Sequence, residues 1–292
     1  MRRTMLFLPG NNPNMICNGG LLGADSLIFD LEDAVSPDQK DAARELLKNA
    51  LASLSFGKCA RIIRINGLDT PYWEEDLRAV LPFGPQAILP PKVSDADYIR
   101  RLDEKLTALE QEFGLSNEQT KIIALLETAV GVENAYAIAA ASPRMTALFL
   151  GAEDLSADLR CARTTEGEEI RYARGRVVCA ARAVGIEAYD TPFTDVQDIE
   201  GLEKDAAFAK GLGFTGKACI SPAHVATVNR IFSPSLKEID YAREVFDAID
   251  QAKRQGKGAI SLRGKMIDAP IVQRARLVLE AASEMEGVDY FA

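Results

Sequence analysis

Eight short apolar runs recur along the chain, and longer stretches with helical periodicity separate most of them. The runs are 4–9 (TMLFLP), 26–33 (SLIFDLED), 61–66 (RIIRIN), 87–93 (AILPPKV), 122–129 (IIALLETA), 146–154 (TALFLGAED), 187–194 (EAYDTPFT) and 216–222 (GKACISP). They are compact and largely continuous, as strands covered on both faces must be. Such strands, joined by helices, pair in parallel through right-handed crossovers. Eight of these units predict a closed (β/α)8 barrel, the TIM barrel of roughly 250 residues, over its rival, a doubly wound open sheet.

The intervening stretches carry helix signals. Ser36-Pro37-Asp38-Gln39 has capping-box spacing with proline at the first helical position of 36–55. Thr165-Glu166-Gly167-Glu168 has the same spacing at the start of 165–184. Residues 95–113 place Ile99, Leu102, Leu106, Leu109 and Phe113 on one stripe. After Ser233-Pro234 the pattern changes. One amphipathic helix covers 235–254, with Leu236, Ile239, Val245, Phe246 and Ile249 on its apolar side, and Gly256-Lys257-Gly258 breaks it. A short AISL strand, a GKMIDAP loop and a helix from Ile271 to about Met285 follow. The chain thus divides into a catalytic barrel over 1–232 and a C-terminal helical extension over 233–292. The extension is too short for a core of its own, so it packs on the barrel or is swapped onto a neighbouring subunit.

Composition limits the partners. The 34 Lys+Arg against 43 Asp+Glu give a net charge of −9, which offers no general attraction to nucleic acid or an anionic membrane. No apolar run approaches the roughly 20 residues that span a bilayer. The opening MRRTMLFLPGNN is too short in its apolar part for a signal peptide, so it reads as a first strand and the protein as cytoplasmic. Five cysteines, an odd count with no CxxC, read as free buried thiols. The single histidine, His224, excludes multi-histidine metal sites and reads as a surface or capping residue. Acid–base chemistry then rests on carboxylates, and any metal is a hard cation held by oxygen.

Chemistry in such a barrel sits at the C-terminal ends of the strands. Those ends carry Asp30, Glu32 and Asp33; Arg64 and Asn66; Lys92; Glu127; Glu153 and Asp154; Asp190; and Ser221. Carboxylates crowded at one mouth repel one another, and a divalent cation relieves the repulsion. Mg²⁺ needs one or two carboxylates plus substrate and water. Arg64 offers a planar fork to a substrate carboxylate. The site therefore suits a small oxo- or hydroxy-acid chelating Mg²⁺. The literal GxGxxG at 211–216 follows a helix and precedes a strand, the reverse of the dinucleotide-binding order, and is set aside.

Seven segments resemble the citrate lyase beta subunits of the HpcH/HpaI aldolase superfamily. They are RTMLFLPGNN (3–12), FDLEDAV (29–35), RIN (64–66), LETAVGV (126–132), GAEDL (151–155), GKACISP (216–222) and GKMIDAPIVQRAR (264–276). The resemblance implies a Mg²⁺-dependent lyase cleaving a citryl thioester, on acyl carrier protein or coenzyme A, into oxaloacetate and an acetyl thioester. By the same resemblance Glu127 and Asp154 hold the metal, and Arg64 and Glu127 bind substrate and act in catalysis. Asp30, Glu32 and Lys92, read from their strand-end positions, join them as substrate-binding residues. Asp268 is implied to reach a neighbour's active site as a proton-transfer group, which makes the protein a homo-oligomer. Relatives of the citrate lyase type work beside an acyl carrier protein subunit and a transferase subunit. The superfamily also contains malyl-CoA and citramalyl-CoA lyases, so a freestanding lyase of that kind is the alternative. A mainly structural subunit of a lyase complex is a further one. Relatives often have histidine where this chain has Ser221, which bears on carrier recognition.

Overall fold

The computed structural model describes residues 2–254 and 261–290. All eight apolar runs contain a strand: β1 Thr4–Pro9, β2 Ser26–Asp30, β3 Ala60–Arg64, β4 Ala87–Leu89, β5 Lys121–Leu126, β6 Met145–Leu150, β7 Glu187–Asp190 and β8 Gly216–Cys219. Each pairs in parallel with the next. The barrel closes as β8 pairs with β1 through Thr4↔Lys217, Met5↔Ala218 and Leu6↔Cys219. No open sheet edge remains to be covered.

Side-chain alternation explains the unbroken hydrophobicity of the runs. One set of positions packs together as the interior: Met5, Ile28, Ile62, Leu89, Leu125, Phe149, Tyr189 and Ala218 are among them. The alternate set, including Leu6, Leu27, Ile63, Ile88 and Leu148, is equally buried on the outer face of the wall. After the first, the runs end later than the strands. In 26–33 the ladder stops at Asp30, so Glu32 and Asp33 stand on the loop above it.

The helices follow the predicted stripes, but some caps differ. Ala96–Glu112 buries Ile99, Leu102, Leu106 and Leu109, with Asp95 accepting the Tyr98 N–H at its start; Phe113 falls just past the end and is part-exposed. Ser36 makes no cap bond to the backbone. Its hydroxyl donates to Asp38, Pro37–Gln39 is a 3-10 turn, and the α-helix is Lys40–Ser53. The second expected box does not form. Thr164 donates its backbone N–H and its hydroxyl to Glu169 and accepts the Gly167 N–H, and the α-helix Arg171–Ala183 has no side-chain cap.

His224 is fully buried, its Nε2 3.4 Å from the Val196 carbonyl, so the surface expectation fails. All five cysteines are free, but only Cys219 is buried; Cys17, Cys161 and Cys179 are exposed. Gly213, in the set-aside GxGxxG, ends the helix Ile199–Leu212 at φ 107°, a conformation that favours glycine. No helix among the described residues is long and apolar enough to cross a membrane.

The chain divides into two compact units between Arg230 and Ile231. In the second, helices Leu236–Arg254 and Ala269–Glu286 enclose Ile239, Ala242, Val245, Ala275, Leu279 and Ala282 with Ile267. The segment thus has a small core of its own, contrary to expectation, because each of two long helices contributes an apolar stripe. Lys265–Met266, expected in a loop, pairs antiparallel with Ser261–Leu262. The Gly256-Lys257-Gly258 break and the first half of the AISL strand lie outside the described residues.

Candidate active site

The inward alternation of the strands continues past their C-terminal ends. Phe7, Asp30, Arg64, Leu125, Glu127, Phe149, Gly151, Thr191 and Ile220 all share that parity, and all line one cavity of about 570 Å3. Asp154 and Glu153, in the first turn of the helix Ala152–Asp158, line it as well. The geometry therefore brings Asp30, Arg64, Glu127 and Asp154 together from four strand ends.

Arg64 is clamped before any ligand arrives. Its Nε donates to Asp30 Oδ1 at 2.7 Å and its Nη2 to Asp30 Oδ2 at 2.6 Å. Asp30 also accepts the backbone N–H groups of Glu32 and Ala34, which fixes the loop above β2. Nη1 lies 3.0 Å from Glu32 and 3.5 Å from Asp33, and the guanidinium stands 5.2 Å from the centre of the Phe7 ring. Burial works against the Arg64 charge, yet Asp30, Glu32 and Asp33 outweigh it and raise its pKa. Asp30 is expected from the sequence among the substrate-binding residues; here both its oxygens are engaged by Arg64 and the loop, while Glu32 and Asp33 pair with Arg64 Nη1, so the guanidinium is held from two sides.

Glu127 is buried at the end of β5. Its Oε1 accepts the Lys92 backbone N–H at 2.8 Å. Lys92 adopts φ 51°, an uncommon conformation for a side chain of this size, and that turn aims the N–H at Glu127. The Lys92 Nζ reaches Glu32 Oε1 at 3.1 Å. On the other side, a Cβ on Gly151 would stand 2.7 Å from Glu127 Oε2, so glycine is what lets the β6 end approach this closely. Burial first, then the negative charges of Asp154 and Glu32, push the Glu127 carboxyl up to about 8. Burial likewise raises Glu32, with Arg64 opposing it.

This arrangement fits a hard cation. Two carboxylates, Glu127 and Asp154, face one cavity and repel each other, which a bound divalent ion would reverse. Among the described residues, no group of three or more His, Cys, Asp or Glu stands ready to hold a metal alone. The pair matches an ion such as Mg²⁺, which takes one or two carboxylates and fills its shell with substrate and water. Gly151→Ala is expected to lower turnover by about 100-fold by displacing Glu127, while the barrel stays folded. Parallel activity and circular dichroism measurements check this, and full activity would show that the close approach is dispensable.

Of the strand-end group, Glu32, Asn66, Lys92, Asp190 and Ser221 do not line the cavity. Asp190 has the outward parity and sits under the helices, where Arg174 donates to both its oxygens at 2.9 Å and Lys217 reaches it at 2.6 Å. Asn66 is bonded to Asp76 and the Leu31 carbonyl. Asp268 belongs to the second unit and caps the helix Ala269–Glu286 by accepting the Ile271 N–H. Sequence reasoning missed Gly151 and Thr191. Counting alternate positions along 187–194 would have separated Thr191 from Asp190.

A closed parallel barrel whose C-terminal mouth sets two carboxylates and a clamped guanidinium at one cavity has the build of a barrel enzyme. Residues 3–222 match the model of the HpcH/HpaI aldolase/citrate lyase family. The chain is 44% identical over 289 residues to the citrate lyase subunit beta of Leuconostoc mesenteroides subsp. cremoris, covering 99% of this chain and 96% of that one. It is 33% identical over 302 residues to the L-malyl-CoA/beta-methylmalyl-CoA lyase of Rhodobacter capsulatus, covering 97% and 95%. Among solved structures, the CitE protein of Mycobacterium tuberculosis in complex with magnesium, acetoacetate and coenzyme A superposes with a TM-score of 0.79. That match has 31% identity and covers 97% of this chain and 98% of that one. A citrate lyase beta subunit from the same organism, complexed with oxaloacetate and magnesium, gives 0.68 at 31% identity, covering 80% and 97%. The chain belongs to the HpcH/HpaI aldolase/citrate lyase family.

Proposed function

We propose that this chain cleaves a citryl thioester into oxaloacetate and an acetyl thioester, with Mg²⁺ held by Glu127 and Asp154. The observation that carries the reading is the placement of those two carboxylates opposite the clamped Arg64 in a single cavity. The relatives support it: identity is higher to a citrate lyase beta subunit than to the malyl-CoA lyase, and a neighbour was solved with oxaloacetate and magnesium. Mg²⁺ supplies Lewis acidity, which makes a substrate hydroxyl easier to deprotonate and stabilises negative charge on oxygen.

The residues of the chain do the rest. Arg64, aimed by Asp30, binds a carboxylate of the keto-acid half, which competes with Glu32 and Asp33 for Nη1, and offsets charge that develops there. Lys92 holds Glu127 through its backbone N–H and offers Nζ at the rim, and Glu32 keeps that Nζ in place. Phe7, Met15, Phe149 and Ile220 supply an apolar wall to the cavity. A base takes the proton of the tertiary hydroxyl, the central carbon–carbon bond breaks, and its electron pair passes to the acetyl thioester as an enolate. A proton then returns to that carbon to give the methyl group. We assign this last transfer to Asp268 of an adjacent chain in a homo-oligomer.

A panel of citryl, malyl and citramalyl thioesters, assayed with Mg²⁺ and with chelator, tests the substrate. Citryl cleavage that needs the metal is expected; preference for malyl or citramalyl thioester would make the chain a lyase of that other kind. A chain inert on all three by itself would leave it a structural subunit beside acyl carrier protein and transferase subunits. Arg64→Ala is expected to weaken oxaloacetate binding by roughly 100-fold, read by calorimetry; unchanged affinity would remove it from the site. Mixing Arg64→Ala chains with Asp268→Ala chains is expected to restore part of the activity. None, in confirmed mixed oligomers, would count against a shared site.

A further inference from the structure

Asp154 stands in the first turn of the helix Ala152–Asp158, so its position is set by how that helix starts. Helix starts leave backbone N–H groups without partners, and a side chain at the N-cap position ordinarily takes one of them. Here the N-cap is Gly151, which has no side chain to offer. Serine, threonine or aspartate there would displace Glu127, because a Cβ would meet Glu127 Oε2 at 2.7 Å and Glu127 Cβ at 2.8 Å. The close approach that places Glu127 beside the β6 end thus deprives the next helix of its own cap.

Neighbouring strands serve the helix start instead. The Gly151 N–H donates to the Leu126 carbonyl at the end of β5, at 3.0 Å. The Ala152 N–H donates to Thr191 Oγ1, at the end of β7, at 3.0 Å. Thr191 is fully buried and lines the cavity. It is itself held: the Lys217 Nζ donates to the Thr191 carbonyl at 2.7 Å and is anchored by Asp190 and Asp205. A continuous set of bonds therefore runs from the buried charge network outside the barrel wall, through Thr191, to the residue two positions before Asp154.

We propose that Thr191 is a positioning residue that sets Asp154 against Glu127, acting as the remote cap that Gly151 cannot be. The proposal rests on the reading that these two carboxylates share a Mg²⁺ ion, and it goes beyond it by naming what fixes one of them. Thr191 acts through the Ala152 N–H at the start of the helix, so its hydroxyl oxygen, not its bulk, is what matters.

The test is Mg²⁺ binding by calorimetry on the full chain, for the parent and for Thr191→Val, Thr191→Ala, Thr191→Ser and Asp154→Asn. Valine keeps the branched shape and removes the acceptor. It is expected to weaken Mg²⁺ binding by about tenfold, the lower end of what losing an outer partner of a metal ligand costs. Serine keeps the acceptor and is expected to stay within about twofold of the parent, on the same hydrogen-bond argument. Alanine is expected to follow valine, and it answers the question if the valine variant fails to fold. A purely structural role would lower the melting temperature without this difference in affinity between serine and valine. If Asp154→Asn abolishes binding while the valine and alanine variants bind like the parent, the positioning role is overturned and the metal reading stands. Serine binding as weakly as valine would overturn it too. If the parent and Asp154→Asn bind Mg²⁺ equally, the metal reading itself fails, and the proposal falls with it.

Discussion

Glu127→Gln is expected to fold like the parent and to lose Mg²⁺-dependent cleavage by a thousandfold or more, about 4 kcal/mol of transition-state stabilisation. Glutamine preserves the shape, and its amide oxygen still accepts the Lys92 N–H, so the loop above β4 keeps its conformation. What disappears is the negative charge. That charge is already disfavoured in the metal-free protein, where burial and the neighbouring Asp154 and Glu32 hold the carboxyl near 8. A buried carboxylate kept at such a cost contributes nothing to folding, so the melting temperature of the metal-free variant should match or exceed that of the parent. Activity assays beside thermal melts separate the two effects. Retained turnover would remove Glu127 from the chemistry, and a large fall in melting temperature would show it to be structural.

The second large effect is on stability. Arg174→Met is expected to cost roughly 3–5 kcal/mol, a large part of the whole stability of an ordinary domain. Arg174 and Lys217 are both fully buried and share Asp190 and Asp205 between them. Removing the guanidinium leaves two buried carboxylates on one lysine. The network also fixes a direction in pH. Burial alone would raise Asp205, but Lys217 and Arg174 outweigh it and hold the carboxyl below the usual range. Its contribution is therefore present above the ordinary carboxylate value and is lost as pH falls through the depressed one. Urea titrations at pH 7 and in acid check both statements. The exposed Lys204–Glu200 pair serves as the control, since its removal should change little. A loss below about 1 kcal/mol for Arg174→Met would contradict the argument.

The barrel was legible because its strands are buried on both faces. Runs such as IIALL and TALFL have no other economical use in a chain with long amphipathic segments between them. The site was legible in part for the same reason, since a charge that ends an apolar run, as Glu127 ends 122–126, is expensive unless something binds it. Parity was the missing step. Asp190 and Thr191 are adjacent in sequence and lie on opposite faces of the wall, and a list of polar strand ends does not tell them apart. The helix caps failed on the same scale: Thr164, and not Thr165, bonds to Glu169, and the Ser36 hydroxyl goes to Asp38, differences of a residue or two that spacing rules do not resolve. The Arg64–Asp30 clamp was hidden for another reason. Residues on β2 and β3 become partners only through strand register, here Asp30↔Arg64, and register is a property of the assembled sheet.

The most direct measurement is a crystal structure of this chain grown with Mg²⁺ and oxaloacetate. The account predicts one ion at the barrel mouth, with oxygens of both Glu127 and Asp154 at about 2.1 Å and the Arg64 guanidinium on a carboxylate of the ligand in place of Glu32 or Asp33. An ion bound away from this pair, or a keto acid seated with Glu127 and Asp154 facing apart, would contradict it.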